Sequence, residues 1–255
     1  MDYIKAFEVK QGKFYNNYNY VSVSEYGKKR NKNEDAVGIF VIKEGLLIVI
    51  CDGLGGGLSG EFASQTSVER IYKSFTLSKE KDFIKRIKHS VESANHFVFE
   101  KSNGNLHFKG MATTCEVLLL NGVNAYWGHV GDSRIYHYSR KKLTQLTKDH
   151  SVSQKLVDDG ELSLRDYHNH PKKSIVTKAI GDNSIPEVDS SKMLLTNQSS
   201  SKFLVCTDGV TTVISNYEIE KLLEKNDLTE ISEKLNKLIE RRGAPDNYSY
   251  VIVSV

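Results

Sequence analysis

Two apolar runs in this chain end in the same dipeptide. Leu46-Leu47-Ile48-Val49-Ile50-Cys51 leads into Asp52-Gly53, and Phe203-Leu204-Val205-Cys206-Thr207 leads into Asp208-Gly209. Short apolar runs of this kind read as buried strands, so the chain must build a sheet whose faces are covered. A buried strand fixes its side chains, and a carboxylate at its end is held in space yet reachable from solvent. Glycine after it lets the backbone bend and a ligand approach the carbonyl. Either Asp-Gly alone is equally an ordinary turn, because both residues tolerate turn dihedrals. If the two junctions meet, with more carboxylates beside them, they form an oxygen-rich nest suited to magnesium or manganese.

Other segments supply the rest of a layered fold. Apolar residues 36–42 and 46–51 flank Lys43-Glu44-Gly45 and predict a hairpin. Helical spacing of Phe62, Ala63, Thr66, Ile71, Tyr72 and Phe75, and then of Phe83, Ile84, Ile87, Val91, Ala94 and Val98, predicts two amphipathic helices over one sheet face. Strands over 113–120, 125–130 and 134–138, with Asn121-Gly122 between the first two, predict antiparallel pairing rather than a βαβ repeat. Strands at 20–24, 203–206 and 248–255 and helices near 217–223 and 231–239 complete an α+β layered sandwich. Residues 1–19, rich in Tyr, Asn and Lys, read as an N-terminal extension. The polar residues from 148 to 186 contain His150, His168 and His170 and a short helical patch at Leu156-Val157. They read as a flap or as a plain surface excursion.

At 255 residues and 39% hydrophobic content, the chain suits one large domain. Its 35 basic and 32 acidic residues leave a net charge of +3, a mixed surface with no strong pull on nucleic acid or acidic lipid. Cys51, Cys115 and Cys206 each lie in an apolar run without a metal-ligand spacing, as expected of reduced, buried thiols in a cytosolic protein. No secretory pattern opens the sequence and no apolar stretch approaches the roughly 18 residues of a membrane span. The expectation is a soluble, cytoplasmic protein.

Glu34, Asp35, Asp52, Asp132, Asp208 and Asp246 all sit at strand edges in this reading. Carboxylates that share a site raise one another's pKa values, and divalent cations relieve that cost. A water bridging two such cations ionises near neutral pH and becomes a nucleophile. Gly55, Gly57 and Gly60 also fit G-x-G-x-x-G, which gives a second, nucleotide-binding reading. No second parallel strand ends in an acidic residue about 20 positions on, and the loop lacks the Lys-Ser/Thr of a P-loop. Thiolate phosphatase chemistry has no cradle: six residues after the cysteines stand Gly57, Asn121 and Thr212 rather than arginine. No Gly-x-Ser-x-Gly elbow supports a serine hydrolase. Taken singly, Arg30 in Lys28-Lys29-Arg30-Asn31-Lys32 is a solvated basic run, and His129 an ordinary strand imidazole.

The ordered set is more specific than its parts. It comprises Arg30-Asn31-Lys32-Asn33-Glu34-Asp35-Ala36, Cys51-Asp52-Gly53-Leu54-Gly55-Gly56, Met111-Ala112-Thr113-Thr114, Gly131-Asp132-Ser133-Arg134, Leu146-Thr147-Lys148-Asp149-His150-Ser151, Thr177-Lys178-Ala179-Ile180-Gly181, Thr207-Asp208-Gly209 and Asp246-Asn247. From about residue 21 to 255 the chain thereby resembles the metal-dependent PP2C, or PPM, family of protein serine/threonine phosphatases in its bacterial form. The resemblance implies a four-layer αββα sandwich of two antiparallel sheets flanked by helices, with two Mn or Mg ions at one end.

By motif position, the resemblance implies that Asp52 bridges both ions and that the Gly53 carbonyl is a further ligand. Asp208 and Asp246 would complete one ion's shell and Glu34 would serve the other directly or through water. Asp132 with Asp208 would form a third, weaker metal site. Asp35, Thr113 and Asn247 would support the ligands, and Arg30 would bind the substrate phosphate through its planar fork. The implied reaction is attack of a metal-bridging hydroxide on phosphoserine or phosphothreonine, with Arg30, Asp52 and Asp208 carrying catalysis. Phosphorylated proteins are the implied partners, with a cognate Ser/Thr kinase and a monomeric state, and residues 148–186 the implied flap. Leu54 stands where many eukaryotic members have a histidine proposed as general acid, leaving that proton to water or another group. Ala112 and Gly57 also depart from common family residues without removing a ligand.

Overall fold

A computed structural model of the chain describes residues 18–55, 58–163, 166–167, 175–195 and 201–255. In chain order its elements are β1 (Asn19–Glu25), β2 (Asp35–Ile42), β3 (Gly45–Leu54), α1 (Leu58–Leu77), α2 (Phe83–Gly104), β4 (Ala112–Thr113), β5 (Cys115–Asn121), β6 (Asn124–Val130), β7 (Arg134–Ser139) and β8 (Lys142–Gln145). They continue with α3 (Val152–Asp158), β9 (Asp189–Leu194), β10 (Lys202–Cys206), α4 (Asp208–Thr211), α5 (Asn216–Leu223), α6 (Leu228–Arg241) and β11 (Tyr248–Ser254).

Alternation of side chains along the strands sorts the residues into layers. One sheet runs β1-β11-β10-β7-β8; the other runs β2-β3-β5-β6-β9, with β4 paired to β3. Every named pairing is antiparallel. On β3, Leu47, Val49 and Cys51 pack with Val68, Ile71, Phe75 and Val91 of α1 and α2. The intervening Leu46, Ile48 and Ile50 meet Ile135, Phe203, Val205, Val251 and Val253 of the opposite sheet. The far face of that sheet, including Leu204, Tyr250 and Ile252, is covered by Ile219, Leu223, Ile231, Leu235 and Ile239 of α5 and α6. Three buried cores therefore separate four layers, each fully buried aliphatic side chain contributing about 1.5–3 kcal/mol.

The same alternation positions the acidic residues. Continuing the inter-sheet stripe past Ile50 brings Asp52; past Val37 on β2 it brings Asp35; past Val205 it brings Thr207; and past Val251 it brings Ser249. At one end of the sandwich the apolar stripe thus gives way to carboxylates and hydroxyls.

Several local expectations are corrected. The strand expected to end at Cys51 continues as β3 through Asp52 and Gly53 to Leu54, because Gly53 and Leu54 pair with Thr113 and Ala112. The strand expected over 113–120 is interrupted at Thr114, which offers its side chain to Asp52 in place of a ladder carbonyl. The hairpin tip is Gly122-Val123, since Asn121 pairs with Asn124 and Gly122 supplies the positive φ of 57°. Edge strands β8 and β9 were not expected; their half-exposed sequences lack apolar alternation.

β1 begins at Asn19 and Tyr18 is buried, so these two residues of the expected extension belong to the sheet side of the boundary. Residues 1–17 lie outside the described residues, as do His168, His170, Gly56 and Gly57. The expected flap begins on a buried root, with Asp149 5% and His150 8% exposed. With only antiparallel neighbours, β3 offers no βαβ unit for the nucleotide reading of Gly55, Gly57 and Gly60. All three cysteines are buried and unbridged. No described helix is long and apolar enough to cross a membrane.

Candidate metal centre

Asp35 and Asp52 are direct cross-strand partners, one on β2 and one on β3. Like charges so placed destabilise a bare sheet. Hydroxyls and amides hold them there nevertheless. Thr207 Oγ1 donates to Asp35 Oδ2 at 3.0 Å and accepts the Ser249 N–H at 2.9 Å, tying Asp35 to the opposite sheet. Thr114 Oγ1 accepts the Asp52 N–H at 3.0 Å, while the Thr114 N–H and Thr113 Oγ1 donate to the Asp52 carbonyl at 2.9 and 2.8 Å. Asp52 is therefore clamped through its own main chain, and its carboxylate stays free of those bonds.

Glu34 is held in the same way. Its N–H donates to Asn247 Oδ1 at 2.9 Å, and its carbonyl accepts from Ser64 Oγ at 2.5 Å and from the Gly53 N–H at 3.1 Å. Asn247 also donates from Nδ2 to the carbonyls of Tyr26 and Lys32, at 3.0 and 2.7 Å. A side chain at Gly209 would meet the Asn247 carbonyl at 1.9 Å, so glycine after Asp208 is required by close approach.

Burial, reinforced by the charges of Asp35, Asp208, Asp132 and Asp246, holds the Asp52 carboxyl well above the usual range. Burial and the charge of Asp208 push Asp35 to about 7, against the opposing bonds from Ser249 and Thr207. Burial with Asp246 nearby pushes Asp208 to about 6, partly offset by a hydrogen bond with Asp52. Asp132 is raised by burial and by Asp208 and Asp149, and Glu34 by burial against the lowering charge of Arg30. These mutual influences join Glu34, Asp35, Asp52, Asp132, Asp208 and Asp246 in one electrostatic cluster.

The donor chemistry fits a hard divalent cation. All these donors are oxygens, and Glu34 Oε1 and Asp35 Oδ1 are buried without a hydrogen-bond partner. Gly60, in the first turn of α1, leaves room beside both the Gly53 carbonyl and Glu34: a Cβ there would stand 3.0 Å from the Gly53 oxygen and from Glu34 Cδ. Among the described residues, no three His, Cys, Asp or Glu side chains form a finished metal cage. One member is turned aside, because Asp246 pairs with Arg30, Nε to Oδ1 at 2.9 Å and Nη2 to Oδ2 at 2.9 Å.

Every site residue anticipated in the sequence thus lies at this end of the sandwich or supports it. Thr114, Thr207, Ser64 and Ser249 were not assigned roles. Thr114 and Thr207 had a usable signal, standing inside the short motifs that carry Thr113 and Asp208.

A fold of this layering with carboxylates gathered at one end defines a class. The model of the family described as Protein phosphatase 2C matches residues 27–246, and the chain belongs to that family. A protein phosphatase 2C-type protein of Streptococcus pyogenes serotype M6 is 32% identical over 238 residues, covering 90% of this chain and 94% of that one. The solved structure of the S. agalactiae serine/threonine phosphatase superposes with a TM-score of 0.86 at 31% identity, covering 93% of this chain and 99% of that one. The catalytic domain of the serine/threonine protein phosphatase PstP, solved in complex with two manganese ions, superposes with a TM-score of 0.79 at 27% identity, covering 93% and 97%.

Proposed function

We propose that this chain is a metal-dependent protein phosphatase that hydrolyses phosphoserine and phosphothreonine in proteins. The carrying observation is the convergence on Asp52 of carboxylates from both sheets, with Asp52 anchored through its main chain and Asp35 by a hydroxyl. Asp52 and the Gly53 carbonyl would hold two ions, with Asp208 and Asp246 on one and Glu34 on the other. Asp132 with Asp208 would hold a third, weaker one. Bound there, manganese or magnesium supplies Lewis-acid charge and acidifies water for attack at phosphorus.

The protein's own residues do the rest. Thr113 and Thr114 fix Asp52 by its amide and carbonyl, so its carboxylate need not reorganise during reaction. Thr207 keeps a hydroxyl proton on Asp35 Oδ2 and Asn247 steadies the Glu34 main chain. Arg30 lies half-exposed at the mouth, where its fork can leave Asp246 for the phosphate oxygens. Leu54 offers no proton, so the leaving alkoxide takes its proton from water or from another group.

We place the activity in a single domain, monomeric and cytoplasmic, opposing a cognate Ser/Thr kinase. The segment 148–186, part of which lies outside the described residues, would act as the flap that shapes substrate choice. A phosphothreonine peptide assayed with manganese tests the reading: turnover must vanish on chelation and fall by at least about a hundredfold in Asp208→Ala. Turnover surviving either treatment refutes it.

A further inference from the structure

His150 grips a single residue twice. Its N–H donates to the Gly131 carbonyl at 2.7 Å, and the Gly131 N–H donates to its Nδ1 at 3.1 Å. Both main-chain polar groups of Gly131, the residue before Asp132, are therefore satisfied by His150, the carbonyl by its N–H and the N–H by its side chain. The far nitrogen, Nε2, donates to Asp189 Oδ2 on β9 at 3.2 Å, which fixes the tautomer with Nδ1 as acceptor. The His129 ring stands 4.5 Å away, held by hydrogen bonds to Glu116 and the Lys148 carbonyl, and completes the seat.

Gly131 has little room to move within this seat. Its φ is 114°, and a Cβ there would lie 2.6 Å from Thr114 Cβ. Thr114 is the residue whose Oγ1 holds the Asp52 N–H and meets Ser133 Oγ at 2.9 Å. Beyond Asp132, Arg134 is forked onto Asp149 by Nε at 2.8 Å and Nη2 at 2.7 Å. The turn 131–134 is thus grasped at both ends by the adjacent residues 149 and 150, and it abuts the clamp on Asp52.

We propose that His150 is a positioning residue for the metal centre, setting the turn that carries Asp132 by accepting the Gly131 N–H on Nδ1. The role rests on the phosphatase reading only in what Asp132 serves; the grip on Gly131 stands independently. Burial, with His129 alongside, lowers His150 to about 4, so Nδ1 remains an acceptor at neutral pH. Loss of a residue that orients a ligand costs roughly 10–100-fold in metal affinity or activity.

Two substitutions separate the imidazole's nitrogens in the full chain. Asparagine carries its carbonyl oxygen near the position of Nδ1, whereas glutamine reaches towards Nε2 and Asp189. Manganese titration by calorimetry, Gly131 amide exchange by NMR, and KM for a phosphopeptide are the readouts. His150→Gln is expected to weaken the weakest manganese equilibrium about tenfold and to speed Gly131 exchange, with KM unchanged. His150→Asn is expected to remain within about threefold of the native protein on both counts. Equal impairment of the two variants, or native values in His150→Gln, overturns the proposal.

If neither ring variant folds, Asp189→Ala decides, since that side chain is 60% exposed. It must speed Gly131 exchange, and unchanged exchange overturns the proposal. Native protein that takes up no manganese overturns the phosphatase reading instead. Gly131 exchange equal in native protein and His150→Gln then overturns this one.

Discussion

Arg30 and Asp246, 216 residues apart in sequence, hold each other by two parallel bonds of 2.9 Å. Both are at the mouth of the carboxylate cluster, and each has a competing partner there. Asp246 Oδ1 also accepts the Asn247 N–H at 2.8 Å, which ties the acid to its own main chain. On the proposed function, moving Arg30 onto a phosphate and Asp246 onto a cation would be linked events: each would release a group that the Arg30–Asp246 pair engages.

Substitution at Arg30 should consequently separate substrate binding from metal binding. Arg30→Lys keeps the charge but loses the planar fork, and KM for a phosphothreonine peptide should rise about tenfold with a smaller change in kcat. Arg30→Ala should raise KM further while manganese binds at least as tightly, because Asp246 is no longer engaged. Steady-state kinetics with calorimetry checks this. An unchanged KM with weakened manganese binding would assign Arg30 to the metal site instead.

Thr114 supplies the acceptor for the Asp52 amide. Thr114→Val preserves shape but leaves that buried N–H without its partner, a loss of about 1–3 kcal/mol. Thermal melting should drop by several degrees, since about 1 kcal/mol corresponds to roughly 2–4 °C at this size. The manganese-supported kcat should fall with it, and Thr114→Ser should recover most of both. A valine variant with native kcat would mean that the clamp matters only for folding.

The metal-stripped protein should be less stable at alkaline pH. Asp35 near 7 and Asp208 near 6 both stand above the unfolded carboxylate value of 3.8. The native state therefore binds more protons than the unfolded state between those limits. The contribution is fully present below about pH 4 and is lost as pH rises through about 6 to 7. In chelator, the melting temperature should fall between pH 5 and pH 8, and manganese at pH 8 should restore it. Asp35→Asn, which still accepts from Thr207, should flatten the chelated profile. An unchanged slope in that variant would remove Asp35 as its source.

What could be read beforehand follows from periodicity. β2, β3, β5, β6, β10 and β11 alternate around apolar cores, so their existence and the acids at their ends were visible. β8 and β9 were not, because edge strands with open faces carry no such pattern. Ser64 on α1 and Ser249 on β11 were equally silent: a serine has the same local signature whether or not it supports the site. Asp149 and His150 stood in a recognisable short motif, but nothing local in that long polar segment marked them as buried. Their burial depends on Arg134 and Gly131, and no local pattern reports a partner that distant.

Gly60 gives a last test, in which metal binding should fall while stability without metal stays close to native. It lies in α1, where alanine is intrinsically favoured over glycine by about 0.8–1 kcal/mol. The added Cβ would stand 3.0 Å from the Gly53 carbonyl oxygen and 3.1 Å from Glu34 Oε1, so both must yield by a few tenths of an ångström. In chelator, Gly60→Ala should melt within a few degrees of the native protein, the helical gain offsetting the crowding. With manganese, affinity should fall at least about tenfold, because a rigid main-chain ligand displaced by even a small distance cannot follow the ion. Calorimetry and melting with and without manganese measure the two effects separately. Equal loss of stability in both conditions with unaltered affinity would show that the space beside Gly53 serves helix packing and not a cation.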